Sequence, residues 1–423
     1  MNRRALTFAL TLALTLALTL AASAAGAQTI AIVGATIHPV SGPPIEKGTI
    51  LMRDGRILAV GTDLVVPEDA VRIDGAGRWV TPGLIQTAST LGLHLLDVGG
   101  QNETREDSLQ GPLKPSFNIA DALDPAALSL PGARLQGITT VLAIPTTGLI
   151  PGQGVVYDLY GERIESLLVR SPAVMVIDFS EDGKPSAGGS RAGILKRLRQ
   201  VFRDALEYDR RQDDFRRAQI QPLAAPAEDL EALKPVLRGE LPVLAIANRR
   251  SDIENALRLA REFNLKLMLW QGAEAWQVAE ELARAKVPVV VEPLTDIPTF
   301  DQLSPRLDNA TLLRAAGVTV VIAQRDDALH RNLRFAAGNA VRNGLAWGEA
   351  LRAVTLAPAE AARVGDRYGS LERGKVANVV VWSGDPFEFS SRAEHVFIRG
   401  QEVPQVSRQT ELRERYRTLP PTY

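Results

Sequence analysis

Hydrophobic and polar positions alternate through residues 29–82, as in Thr49-Ile50-Leu51-Met52-Arg53 and Arg56-Ile57-Leu58-Ala59-Val60. A period of two marks a half-buried strand, and Asp54-Gly55 between the two runs is a strong two-residue hairpin signal. This stretch reads as a small β-domain. Beyond Val80-Thr81-Pro82-Gly83 the pattern changes to short, wholly apolar runs at 137–144, 173–179, 241–247, 266–271, 287–292 and 318–324. Strands buried on both faces of a parallel sheet have this signature.

Helical segments separate these runs. Ser251-Asp252-Ile253-Glu254 reads as a capping box, and Ile253, Leu257 and Ala260 follow at helical spacing, so a helix should join the strand ending at Ala247 to the one beginning at Lys266. Repeated over roughly 250 residues, this βαβ unit predicts an α/β fold, a (β/α)8 TIM-type barrel, with an open doubly wound sheet as the alternative. Ile194, Leu195, Leu198, Val201, Phe202 and Ala205 share one face of a charged stretch within 185–240, which predicts a helix pair. Residues 95–130 lack periodicity and carry Pro, Gly and acidic residues, as expected of a long loop at the barrel mouth. Short β runs return from Gly369 to Val403, so both ends of the chain should share a composite β-sandwich. The expected division is a leader over 1–27, a sandwich from 28–82 with 355–405, a barrel over 83–354 and a tail over 406–423.

With 423 residues, 45% of them hydrophobic and 23% charged, the chain can bury a large core and divide into one large and one smaller domain. Arg3-Arg4, the apolar run Ala5–Ala22 and Ala25-Gly26-Ala27 before Gln28 read as a signal peptide, which predicts secretion to the periplasm. Left uncleaved, the same run would be a membrane anchor. Loss of Arg3 and Arg4 takes the net charge of −1 down by two, to −3, so no basic field is available for nucleic acid or anionic lipid. The absence of cysteine excludes disulfides, thiol catalysis, thiolate metal sites and a lipid-bearing cysteine. Gly148–Gly154 is glycine-rich but lacks the Lys-Ser/Thr of a phosphate loop and reads as a structural turn.

Three segments together resemble the amidohydrolase superfamily, in its imidazolonepropionase-like branch. They are Asp54-Gly55-Arg56-Ile57 with Val80-Thr81-Pro82-Gly83-Leu84-Ile85, then Asn332-Leu333-Arg334-Phe335 with Ala337-Gly338-Asn339-Ala340, and Gly369-Ser370-Leu371-Glu372-Arg373-Gly374-Lys375 with Ala377-Asn378-Val379-Val380-Val381. The resemblance implies a (β/α)8 barrel, a flanking sandwich and a divalent metal such as zinc at the carboxyl ends of the strands. It also implies Asp-x-His-x-His on the first barrel strand, where this chain reads Gln86-Thr87-Ala88-Ser89-Thr90. Neither Ala88 nor Thr90 can replace an imidazole ligand. The later histidine positions match Ile246, Asn248 and Gln271, and the aspartate of the eighth strand survives as Asp326, preceded by Gln324-Arg325.

Of the four histidines, His38 and His395 fall in the β-domain and are expected at its surface or turns, while His94 and His330 fall in loops. Two arrangements of the mouth follow. In one, Glu292 joins Asp326 and Gln271 around a hard cation. In the other, which we favour, Glu292 pairs with Arg325 or Arg249 in a polar plug. Trp270, Trp276 and Trp347 read as packing residues. The expectation is an amidohydrolase-like scaffold, by descent a hydrolase of carbon–nitrogen bonds other than peptide bonds, that holds no metal or other cofactor and is noncatalytic. It would bind a small polar ligand through Asn248, Gln271, Glu292 and Arg325, or associate with itself or an active relative. The alternative is an active hydrolase built on Asp326 and unusual ligands.

Overall fold

The computed structural model describes residues 28–93, 111–217, 223–324 and 332–418. The expected leader, His94, His330, Arg325 and Asp326 lie outside the described residues.

The predicted hairpin forms. Strands β1 (Ile30–Ile37), β2 (Ile45–Arg53) and β3 (Arg56–Gly61) are antiparallel neighbours, with Asp54 and Gly55 at φ of 53° and 73° as a type I′ turn demands. With β4 (Val71–Asp74), β5 (Trp79–Pro82) and, from the far end of the chain, β14 (Val379–Trp382), β15 (Ala393–Ile398) and β16 (Gln401–Glu402), they make one eight-stranded sheet. β5 pairs with β14, with Pro82 opposite Val379, so both ends of the chain complete the same layer. Ile32, Ile50, Ile57, Val80, Val381 and Phe397 lie in its own core, as expected of the composite sandwich.

A second eight-stranded sheet runs in chain order: β6 (Leu84–Ser89), β7 (Ile138–Ala143), β8 (Gly152–Asp158), β9 (Leu168–Asp178), β10 (Val243–Ala247), β11 (Leu267–Gln271), β12 (Val289–Val291) and β13 (Val320–Ile322). Gln86 Nε2 donates to the carbonyl of Gln324, bringing the first and last strands of the order together. This is the TIM-type barrel, with one departure from simple βαβ repetition. β8 runs antiparallel to both β7 and β9. Its first residues belong to the glycine-rich segment expected to be only a turn; Gly152, at φ 132°, lies where a Cβ would overlap the carbonyl of Phe117.

Between β9 and β10 the predicted helix pair appears as Arg191–Arg210 and Ala227–Leu237, with Ile194, Leu198, Val201 and Phe202 buried. The helix after β10 spans Arg250–Phe263, but its cap differs from the expectation. Its N-cap is Arg249, with no side-chain cap bond, and Ser251 lies inside the helix. Glu274, arriving from after β11, accepts the N–H of Arg250 at 2.9 Å, a carboxylate at a helix N-terminus. A tertiary carboxylate therefore takes the role assigned to a local motif.

His38 also departs from expectation. It is buried, with its ring 4.6 Å from those of both Trp79 and Trp347, because β1 ends against the barrel's helical layer rather than in solvent. His395 is half-buried and meets Glu402 at 2.6 Å. The junction between sheet and barrel is tight at Gly83, where an added Cβ would overlap the Oγ1 and Cγ2 of Thr139. Gly83→Ala is expected to cost about 1–3 kcal/mol by overpacking, and Thr139→Ala in the same chain should recover much of it. Urea denaturation of the single and double variants measures both.

Candidate functional site at the barrel mouth

Strand alternation sends one set of side chains into the barrel. Val174 and Val176 of β9, Leu244 and Ile246 of β10, Met268 and Trp270 of β11, and Val290 of β12 share one interior cluster. The next inward positions at the carboxyl ends, where barrel enzymes place their chemistry, are Asp178, Asn248 and Glu292. All three are buried.

The structure brings Asn248 and Gln271 together. The Asn248 Nδ2 donates to Gln271 Oε1 at 2.5 Å and to Asp301 Oδ2 at 3.1 Å. Gln271 ends β11 at φ 76°, and Ala88, the last residue but one of β6, lies at φ 53°. A left-handed backbone costs a non-glycine residue about 1–3 kcal/mol and tends to persist where a site over-determines it. Both strained residues occupy positions that the resemblance assigns to metal-binding histidines.

Of the two arginines expected to pair with Glu292, Arg249 turns elsewhere and Arg325 lies outside the described residues. The Oε1 of Glu292 accepts the indole N–H of Trp270 at 3.1 Å and its Oε2 accepts the hydroxyl of Thr295 at 3.2 Å. Arg249 points instead to Asp301 at 3.7 Å and Glu181 at 3.9 Å, and donates to the carbonyl of Phe300. A plug does exist, built around Asp301. Arg191 grips Asp252 with two bonds of 2.6 and 3.0 Å, and reaches Glu181 at 3.0 Å and Asp301 at 3.4 Å. Burial pushes the Asp301 carboxyl upward, against the hydrogen bond from Asn248 and the charges of Arg191 and Arg249.

Asp178 escaped the sequence reading. It is the first polar residue after the apolar run Ala173–Ile177, a signal that such a strand ends at the mouth. Its Oδ1 accepts the N–H of Ser180 at 2.7 Å, and burial pushes its carboxyl up to about 6. It opens on a cavity of about 450 Å3 that Ala88, Thr90, Ile246, Trp270 and Gln271 also line. Asp301 carries no comparable signal, because it lies in an irregular stretch and its partners, Arg191 at a helix start and Asn248 after β10, are distant in sequence.

At the described positions, the residues are not those the implied metal would need. Ala88 and Ile246 offer hydrocarbon, and the amides of Asn248 and Gln271 bind one another. Among the described residues no group of three His, Cys, Asp or Glu side chains is placed to hold an ion. No catalytic step is therefore routed through one.

Comparisons with known proteins agree with this architecture. The amidohydrolase family model matches residues 244–403. The chain is 26% identical over 388 residues to an amidohydrolase, tasK, of Hapsidospora irregularis, covering 84% of this chain and 39% of that protein, well under two thirds of its length. It is 24% identical over 374 residues to an imidazolonepropionase of Acidiphilium cryptum, covering 81% of this chain and 89% of the relative. The crystal structure of an amidohydrolase from Thermotoga maritima superimposes with a TM-score of 0.82 at 28% identity, covering 89% of this chain and 99% of that one. Opening and closing motifs, barrel, composite sheet and these likenesses converge, and the chain belongs to the amidohydrolase superfamily.

Proposed function

We propose that this chain is an amidohydrolase scaffold that does not carry out metal-dependent hydrolysis and instead binds a small polar ligand in the barrel mouth. One observation carries the reading: the Asn248–Gln271 amide pair, tied to Asp301 and Arg191, stands where the family resemblance places nitrogen ligands. Asn248 donates to the Gln271 carbonyl oxygen, so drawing that oxygen to an ion would leave a buried N–H unpaired, at about 1–3 kcal/mol. Metal-activated water needs a bound ion to lower its pKa, and uncoordinated water is a poor nucleophile at neutral pH. The cavity beside the pair, with Thr147, Ser180 and Ser186 among its walls, has the size and polarity of a small-molecule site. The leader supports a place outside the cytoplasm.

The relatives' names favour a second reading, an active hydrolase, for which Asp326 is the candidate carboxylate. The two readings part on metal. Residues 28–423, purified without chelator from medium supplied with zinc, manganese and iron, should hold well under one ion per chain by elemental analysis. A near-stoichiometric ion, with amide hydrolysis abolished both by a chelator and by Asp326→Asn, would overturn the proposal.

A further inference from the structure

Among the described residues, no lysine or arginine pairs with the carboxylate of Asp178 at the barrel mouth. Asp178 is 3% exposed, and the leading charge effects on it are those of Asp182 and Asp301, both negative. Its hydrogen bonds come from the backbone N–H and the hydroxyl of Ser180. None of the described residues lining its cavity is lysine or arginine. Lys114 passes its side-chain stem beside Gly148, in the cavity wall. Three other acids near the mouth, Glu181, Asp252 and Asp301, all meet Arg191. A buried carboxylate without a counter-charge is costly, and in a cavity open to ligands the counter-charge can arrive with the ligand.

We infer that the mouth is a binding site for a small organic cation, a primary amine or guanidine. Its charged group pairs with Asp178, its N–H donors meet the hydroxyl oxygens of Ser180 and Ser186, and its hydrocarbon part lies along Ile246 and Trp270. A metal ion is the poorer occupant: hard divalent cations take about six to eight oxygen ligands, and the described residues offer no group of three acidic or imidazole donors. An anionic ligand would face Asp178 and Asp182 with no lysine or arginine among the described residues of the wall. The inference rests on reading the mouth as a ligand site and adds the ligand's charge.

The test is isothermal titration of residues 28–423 at pH 8 with agmatine and butylamine, beside butanol and butyrate as neutral and anionic partners of similar size. The amines should bind at least tenfold more tightly than butanol or butyrate. Asp178→Asn should remove that preference, and Asp182→Asn should weaken it by a smaller factor. Thermal melts establish that each variant is folded. Equal affinity for butylamine and butanol, preference for butyrate, or no binding of either amine overturns the inference, as does full amine affinity in Asp178→Asn. Binding of butanol or butyrate that Ser180→Trp blocks would overturn the ligand's charge while leaving the mouth a ligand site. Stoichiometric zinc with chelator-sensitive hydrolysis would overturn the underlying function itself.

Discussion

Asp158→Ala is expected to lower the unfolding free energy by about 3–5 kcal/mol, the range for removing one partner of a buried ion pair. Asp158 ends β8 fully buried. Its Oδ1 accepts the Thr140 hydroxyl at 2.8 Å and the Asn378 amide at 3.0 Å, while its Oδ2 accepts the Tyr368 hydroxyl at 3.0 Å and the Arg399 guanidinium at 2.7 Å. Thr140 and Asp158 belong to the barrel, whereas Asn378 and Arg399 flank β14 and β15 of the terminal sheet. The substitution strips four donors of their acceptor. Arg399 is partly exposed and can turn to water, which favours the lower end of the range. Asp158→Asn keeps one acceptor oxygen but sets an amide N–H against its donor neighbours, so it should fall between alanine and the parent. Guanidinium denaturation gives the values. A loss under about 1 kcal/mol for alanine would mean that the four bonds are replaced by water without net cost.

The second large effect has the opposite sign. Burial pushes Asp178 up to about 6, and burial with the charge of Glu292 pushes Asp296 up to about 7, from an ordinary value of 3.8. Between pH 4 and 7 the folded chain therefore binds protons that the unfolded chain has released. Stability from these two groups is greatest below pH 4, falls as pH rises through the window, and levels off above pH 7. At about 1.4 kcal/mol per unit, Asp178→Asn and Asp296→Asn should each stabilise the protein by about 2–4 kcal/mol at pH 8 and by little near pH 4. Thermal melts across pH 4–8 read this directly. A gain of the same size at both ends would show that packing, not ionisation, is responsible. Asp178→Asn should thus yield a more stable protein with a poorer site.

The parts of the fold that were legible in the sequence are those specified locally. Asp54-Gly55 fixes its hairpin through two left-handed residues, and the apolar runs declare barrel strands because both of their faces are covered. β8 was missed because Gly152-Gln153-Gly154 offers no side-chain pattern; its place depends on the strands to either side. The helix start at Arg249 was missed because the capping carboxylate, Glu274, is a tertiary partner. At the mouth, Asn248, Gln271 and Glu292 were legible through alignment of strand ends with a family motif. Their partners were not. Arg249, one of the two arginines assigned to Glu292, serves Asp301 and Glu181, and the indole of Trp270, read as mere packing, supplies one of Glu292's hydrogen bonds. Long-range pairing of charges follows from how helices are brought together, which no local pattern encodes.

The pairing of β5 with β14 also sets a timetable. Pro82 waits for Val379, almost 300 residues later, before that edge of the sheet is covered. At a synthesis rate of about 5–20 residues per second, the delay is roughly 15–60 s. Through that interval a nascent chain presents Trp79–Pro82 as an open edge, the kind of template on which strands of other molecules can add. Completion of the sheet must wait for β14 to β16, and loss of those strands would leave that edge of β5 uncovered.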